Sequence, residues 1–335
     1  MQDNGQKKTV EVAAAVIFDG AKVLATRRLG GPWDGWWEFP GGKIESGENA
    51  GDAAVRELRE ELDVDITLKG LLSILEWDYP EFHLRMHCFE SHLADPSHVM
   101  HLSSHSAARW LEAGELDTVR WLPADEQFIP SIALLQYLKQ NIIPRYDHFD
   151  RGHDRNHVET VICQAMHLAD FYDVDRMMLY TAAAYHDTGI CEGREHHHTV
   201  SGRIIRDDVR LREYFSPEQI ETIARAAEDH RASAKTAPRS IYGRLLAEAD
   251  RVIEPMTIIR RTIQYGLGHE PHLDREGQWE RTRQHLVEKY DEGGYLKLWI
   301  PESDNAERLA ALRRIIADTA RLRTIFDQIF AEETL

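Results

Sequence analysis

The sequence predicts two domains, an α/β layer domain over residues 1–142 and an all-α domain over residues 147–335. Three observations carry that prediction. Strand-like and helix-like segments alternate as far as about residue 140, and strand signals nearly vanish beyond it. A polar stretch containing Pro144, NIIPRYDHFDRGHDRNH, separates the two regimes. The chain has 335 residues, the length of two domains of ordinary size, each large enough to bury its own core.

Residues 9–28 have the pattern of a hairpin, TVEVAAAVIF and KVLATRR about a turn at Asp19-Gly20. The next stretch, LGGPWDGWWEFPGGK, is too rich in turn formers to predict regular structure. A helix is expected from Asn49 to Leu62, with Ala54, Val55, Leu58 and Leu62 on one buried stripe. Strands are expected at 65–77, 82–94 and 107–111, and a closing helix near 134–140. Further on, HVETVICQAMHLADFY, DRMMLYTAAAYHD, TVSGRIIRDDVR, PEQIETIARAAEDH, IYGRLLAEADRVIEPMTIIRRTIQ and AERLAALRRIIADTARLRTIFDQIF all show helical apolar spacing. Leu309, Leu312, Ile315, Ile316, Leu322 and Phe326 form a stripe suited to intramolecular packing, the default, or to a homo-oligomer contact.

Composition narrows the function. The chain carries 57 acidic and 40 basic side chains, for a formal charge of −17. That balance opposes stable nucleic-acid binding, which needs a basic face, but not small anionic substrates held through metal ions. No apolar run approaches a membrane span, and the start, Met1 to Lys8, has no apolar core of a signal peptide. The odd, sparse set Cys88, Cys163 and Cys191 suits a reducing compartment, so a cytoplasmic protein is expected.

In the run GKIESGENAGDAAVRELREELDV, helical spacing puts Glu57, Glu60 and Glu61 on one face. Like charges there repel, and a hard divalent cation such as Mg²⁺ relieves the conflict while leaving room for substrate phosphates. Arg56 adjoins that face, and Gly41 and Gly42 allow a sharp turn into the helix. The spacing resembles the Nudix box, G-x5-E-x7-R-E-U-x-E-E-x-G-U, through Gly42, Glu48, Arg56, Glu57, Leu58, Glu60, Glu61 and Val64. Asp63 departs from it, standing where the box has its last glycine. The resemblance implies an α/β/α sandwich that hydrolyses nucleoside diphosphates linked to another group. It implies Mg²⁺ on Glu57, Glu60 and Glu61, with Glu57 and Glu60 as catalytic groups and the general base one of these glutamates or a loop carboxylate.

WWEFPGGKIESGE looks most like the MutT-type and CTP-pyrophosphohydrolase-like branch, which converts nucleoside triphosphates, often damaged ones, to monophosphates and pyrophosphate. The base-reading position of that branch falls on Asp125, whose other reading is an N-cap for the next helix. With Arg56 and Trp37 it makes up the expected substrate-binding set. Trp36, Trp37 and Phe39 suit base stacking, although core is the better expectation for at least two of them. A further metal-binding glutamate usual in this branch is replaced by Ser104.

The all-α half holds 12 of the 18 histidines. HVETVICQAMHLA, AAAYHDTGI and LLAEADRV together resemble the HD superfamily of metal-dependent phosphohydrolases. The resemblance implies His157, His186, Asp187 and Asp250 as ligands of one metal, and His197 and His230 at a second, with the register of the His196-His197-His198 triplet open. Mixed imidazole and carboxylate ligands suit Mn²⁺, Fe²⁺, Co²⁺, Ni²⁺ or Zn²⁺. Asp187 is also placed to take a proton from a metal-bound water. Lys235, Arg239, Arg251, Arg260 and Arg261 are basic residues available for substrate phosphates.

The leading expectation is a bifunctional nucleotide hydrolase. The first half would cut an ordinary or oxidised nucleoside triphosphate, and the second a phosphate ester such as the resulting monophosphate. The alternatives are an HD enzyme acting on an alarmone or triphosphate under regulation by a nucleotide-sensing Nudix half, and a non-catalytic scaffold stabilised by metals.

Overall fold

The computed structural model describes residues 7–150, 152–231, 236–251 and 253–334. The chain packs as two units, Met1–Glu228 and Asp229–Leu335. The first is built on a seven-stranded sheet. Strands β1 (Lys8–Asp19) and β2 (Lys22–Arg28) form the expected hairpin, with Asp19 opposite Lys22, so that Gly20 and Ala21 make the loop. Ala13–Phe18 of β1 is buried at every residue, the pattern of a strand covered on both faces. β1 pairs in parallel with β6 (Phe82–Leu93), and β6 pairs antiparallel with β5 (Ile66–Asp78). β7 (His105–Leu111) lies along β2.

The turn-rich stretch departs from expectation. It contributes β3 (Trp37–Glu38), paired with β2, and β4 (Gly41–Lys43), paired with β1. Segments of two and three residues have no apolar period to read, and their backbone partners come from strands remote in sequence.

Helix α1 (Ala50–Leu62) starts at Asn49, whose side chain accepts the Asp52 N–H. Ala53, Ala54, Leu58 and Leu62 are its buried residues, while Val55 is only partly covered. Leu58 and Leu62 pack with Ala15, Ile17, Leu24, Val64 and Ile66. The helix stops at Asp63, with φ 56° and ψ 39°, the only left-handed residue other than glycine among those described. That conformation is the physical reason for a glycine at this place in the Nudix box.

The closing helix begins earlier than expected. A short α2 (Pro123–Glu126) precedes α3 (Ile129–Tyr137), which runs on through a wide turn to Ile142 and a tight one to His148. The polar stretch expected as a boundary buries Tyr146 completely. Helices α4 (Arg155–Leu168), α5 (Arg176–Tyr185), α6 (His197–Asp207) and α7 (Pro217–Asp229) follow. Two of them reach the sheet edge. The Cys163 thiol of α4 donates to Lys69 O at 3.1 Å, and Arg176 of α5 donates to Leu71 O at 2.9 Å.

The second unit contains α8 (Ile241–Ala249), α9 (Pro255–His269), α10 (Arg275–Tyr290), α11 (Asn305–Ala317) and α12 (Thr319–Glu333). The apolar run 241–264 is two helices rather than one, because Pro255 starts a new helix with Glu254 as its cap. Leu309, Leu312, Ile315, Ile316, Leu322 and Phe326 lie buried in one core with Ile259, Ile263 and Leu286, so the stripe serves intramolecular packing.

Candidate active sites

The glutamates of α1 are organised by Arg56. Its guanidinium donates to both oxygens of Glu48 at 3.0 Å, to Glu57 at 2.9 Å, to Glu60 at 3.3 Å and to Lys43 O at 3.0 Å. The hydrogen bonds that Arg56 donates to Glu48 and then Glu57 raise its pKa further, so the charge is permanent. Arg56 thus bridges Glu57 and Glu60 and relieves part of their repulsion. These contacts engage its donors and favour a holding role over a substrate-binding one.

Glu61 turns the other way. Its Oε2 is buried with no hydrogen-bond partner among the described residues and lies 4.0 Å from His105 Nε2. Burial pushes the Glu61 carboxyl up, against the lowering influence of His105. His105 is buried, with Nε2 3.1 Å from Glu38 Oε1, and Glu38 in turn accepts from Arg28 at 2.6 Å. Ser104 Oγ lies 3.2 Å from His105 Nδ1. His105, Glu38 and Arg28 carry no signal in the sequence pattern, and only the assembled sheet brings them to α1.

Gly41 and Gly42 sit in β4 and do not form the turn into the helix. A Cβ on Gly41 would lie 2.1 Å from Ala13 O, and one on Gly42 2.2 Å from the Glu57 carboxyl carbon. The glycines let β4 press against β1 and leave room for Glu57.

Asp125 is buried in α2 and accepts the Phe39 N–H at 2.8 Å. It does not cap the next helix, for the N-cap of α3 is Phe128. Burial pushes its carboxyl up to about 8, and nearby Glu38 adds to the rise. Trp37 and Phe39 are core residues. Trp36 is partly exposed, with the Arg120 guanidinium 3.6 Å from its ring centroid.

A second cluster forms where α5 ends. His157 Nε2 and His186 Nε2 are 3.2 Å apart, and Asp187 Oδ2 lies 3.6 and 3.3 Å from them. His186 is fully buried with Nδ1 at 2.7 Å from Ala183 O. Only a donor fits against a carbonyl, so the lone pair of Nε2 faces the cluster. The His197 ring is fixed in the same way, with Nδ1 at 2.7 Å from Arg194 O and Nε2 at 3.2 Å from Asp187 Oδ1. His197 is the member of its triplet whose ring nitrogen meets Asp187, and His196 is exposed beside Glu195. Gly189 gives α6 its approach, because a Cβ there would lie 2.1 Å from His197 O.

His230, buried just after α7, and Asp250, following α8, belong to the second unit. His153 was not among the expected ligands, yet its Nε2 is 3.9 Å from Asp187 Oδ2 and its Nδ1 is 3.1 Å from an Arg194 nitrogen. Of the basic residues expected for phosphates, Arg239 is paired with Asp229, Arg260 with Glu332 and Glu333, and Lys235 lies outside the described residues.

The NUDIX domain model matches residues 8–145 and the HD domain model residues 155–253. An 8-oxo-dGTP diphosphatase of Proteus vulgaris is 40% identical over 85 residues, covering 25% of this chain and 76% of its own. The CTP pyrophosphohydrolase of Escherichia coli strain K12 is 32% identical over 130 residues, covering 38% of this chain and 95% of its own. The chain belongs to the Nudix family and carries an HD domain. The solution structure of the E. coli ORF135 protein matches at 30% identity over 40% of this chain and 93% of that one, with a TM-score of 0.34.

This Nudix–HD protein is a hydrolase acting on phosphorus-containing anhydrides and esters. Both domains generally use divalent metals, and the residues present fit them. In the Nudix half Glu61 keeps a buried carboxylate oxygen with no hydrogen-bond partner among the described residues. In the HD half two imidazole nitrogens and a carboxylate oxygen converge, and His186 is locked in the tautomer that ligates. Among the described residues no helix is long and apolar enough to cross a membrane.

Proposed function

We propose that this protein is a bifunctional nucleotide hydrolase whose sites work in series. The Nudix half cleaves an ordinary or oxidised nucleoside triphosphate to monophosphate and pyrophosphate. The HD half then hydrolyses a phosphate ester, the monophosphate being the substrate that the fusion suggests. The observation that carries the reading is the coexistence of two organised sets: Glu57 and Glu60 bridged by Arg56, and His157, His186 and Asp187 converging with ligand atoms 3.2 to 3.6 Å apart.

In the Nudix half Glu57, Glu60 and Glu61 would hold Mg²⁺, a hard cation that takes carboxylate oxygens. In the HD half His157, His186, Asp187 and Asp250 would hold Mn²⁺, Fe²⁺, Co²⁺, Ni²⁺ or Zn²⁺, with His197 and His230 serving a second ion. When bound, these metals lower the pKa of a water and neutralise charge on phosphorus. The chain's own residues do the rest. Arg56 fixes two glutamates, and Asp125, neutral at pH 7, offers a base one donor and one acceptor. Asp187 takes the proton of the attacking water in the HD half. Three free cysteines, Cys88, Cys163 and Cys191, support a cytoplasmic setting.

The test is product chromatography on a panel of ordinary and oxidised triphosphates, comparing wild type with Glu60→Gln and Asp187→Asn. Nucleoside from wild type, and monophosphate plus pyrophosphate from Asp187→Asn, is the expected result. Unchanged products from Asp187→Asn would end the serial scheme. A sensor role for the Nudix half draws on Ser104, which puts a hydroxyl where the branch has a carboxylate. No consumption of any triphosphate would favour it.

A further inference from the structure

Tyr146 lies one residue beyond the NUDIX match and nine before the HD match, so neither domain accounts for it. It is fully buried, and its hydroxyl makes two backbone contacts at the end of α5. It donates to Ala184 O at 3.0 Å and accepts the Asp187 N–H at 3.1 Å. These are groups that a terminating helix leaves without their ladder partners. Asp187, at φ −110° and ψ 7°, has left helical geometry, and that departure is what carries its carboxylate between His157, His186 and His197. The Tyr146 ring lies beside that of His186, with centroids 6.1 Å apart.

A second tyrosine works on the same helix end. Tyr137, the last residue of α3, donates to Asp208 Oδ2 at 2.6 Å, and Tyr185, directly before His186, donates to the same oxygen at 2.5 Å. The segment from α3 to His148 thus grips the end of α5 at two points, through the Asp187 backbone and through Tyr185.

We propose that Tyr146, assisted by Tyr137, is a positioning residue for the HD metal site. The C-terminal segment of the Nudix half sets the backbone conformation that aims Asp187 at the metal. The proposal rests on the reading of His157, His186 and Asp187 as metal ligands. It makes the HD site dependent on residues that lie outside the HD match.

The experiment titrates metal-free full-length protein with Co²⁺ and follows the visible absorption that nitrogen ligation produces and a carboxylate-only site does not. Wild type, Tyr146→Phe, Tyr137→Phe and Asp187→Asn run in parallel, with the melting temperature of each metal-free protein recorded. Tyr146→Phe, which keeps the ring and removes only the hydroxyl, is expected to weaken Co²⁺ binding about 10- to 100-fold, the usual effect of losing a ligand's supporting contact. Tyr137→Phe should shift affinity in the same direction by less, and it keeps the test alive if Tyr146→Phe fails to fold. Unchanged Co²⁺ affinity in the tyrosine variants, with or without a lower melting temperature, overturns the proposal. Wild-type affinity in Asp187→Asn instead overturns the ligand assignment beneath it.

Discussion

At the scale of single residues, two aspartates carry more information than their neighbours. Burial raises the Asp125 carboxyl from the usual 3.8 to about 8. The folded state therefore keeps a proton that the unfolded chain releases near pH 4. The stability that Asp125 contributes is greatest below that pH, falls as the pH rises towards 8, and levels off above it. Asp125→Asn should flatten this slope, measured as urea midpoints between pH 5 and 8. If Asp125 meets the base, KM for the triphosphate should rise above pH 8 in wild type but not in the variant. A slope unchanged by the substitution would sink the neutral-carboxyl assignment. Asp63 holds a left-handed conformation that costs a residue with a side chain about 1–2 kcal/mol, with Asp among those that tolerate it best. Asp63→Gly should raise the melting temperature by about 1–2 °C, the equivalent of roughly 0.5 kcal/mol. Asp63→Ala should lower it. A shift of the same sign in both would show that the conformation is not what matters there.

At the scale of elements, what was legible followed from period. β1, α1 and the helices α4 to α7 are long enough for alternation or three-to-four spacing to appear, and they form where that spacing places them. β3 and β4 are too short to have a period, and Tyr146 lies in a stretch whose overall polarity hid one fully buried ring. The Nudix glutamates and the HD doublet were legible because each set is fixed by local spacing. His105 and Glu38, on β7 and β3, were not, because only strand pairing with β2 brings them within 3.1 Å. The role of Gly42 was misplaced for the same reason. Its missing Cβ makes room for Glu57 across the β4–α1 contact, 15 residues away. Gly42→Ala should therefore push the Glu57 carboxylate aside at the end of a flexible side chain, with little loss of stability. On the proposed role of Glu57 at the metal, a displacement of about 1 Å costs on the order of 100-fold in rate, so Nudix turnover should fall by that much. A variant with wild-type kcat would mean that Glu57 need not occupy the observed position.

At the scale of the molecule, the Nudix sheet and the first HD helices behave as one packed body, and a buried charge pair lies where they meet. Lys139, beyond α3, donates to Glu90 of β6 at 2.5 Å, and the Tyr180 hydroxyl of α5 lies 3.4 Å from the same oxygen. Both charged side chains are almost wholly buried. Burial lowers the Lys139 pKa, but the contact with Glu90 outweighs it and holds the ammonium charged. Removing one partner strands the other in the interior, a loss of about 3–5 kcal/mol. Replacing both with apolar residues of similar volume costs far less. Lys139→Ala should therefore lower thermal stability sharply, and Lys139→Met combined with Glu90→Leu should recover most of it. Because Glu90 belongs to the sheet and Tyr180 to the helix that leads into His186 and Asp187, the weakened body should fail as a unit. Heating Lys139→Ala while assaying triphosphate cleavage and Co²⁺ binding should show both disappearing over the same few degrees. Triphosphate cleavage that survives well after Co²⁺ binding is lost would mean that the sheet unfolds independently and that the pair does not join the two halves.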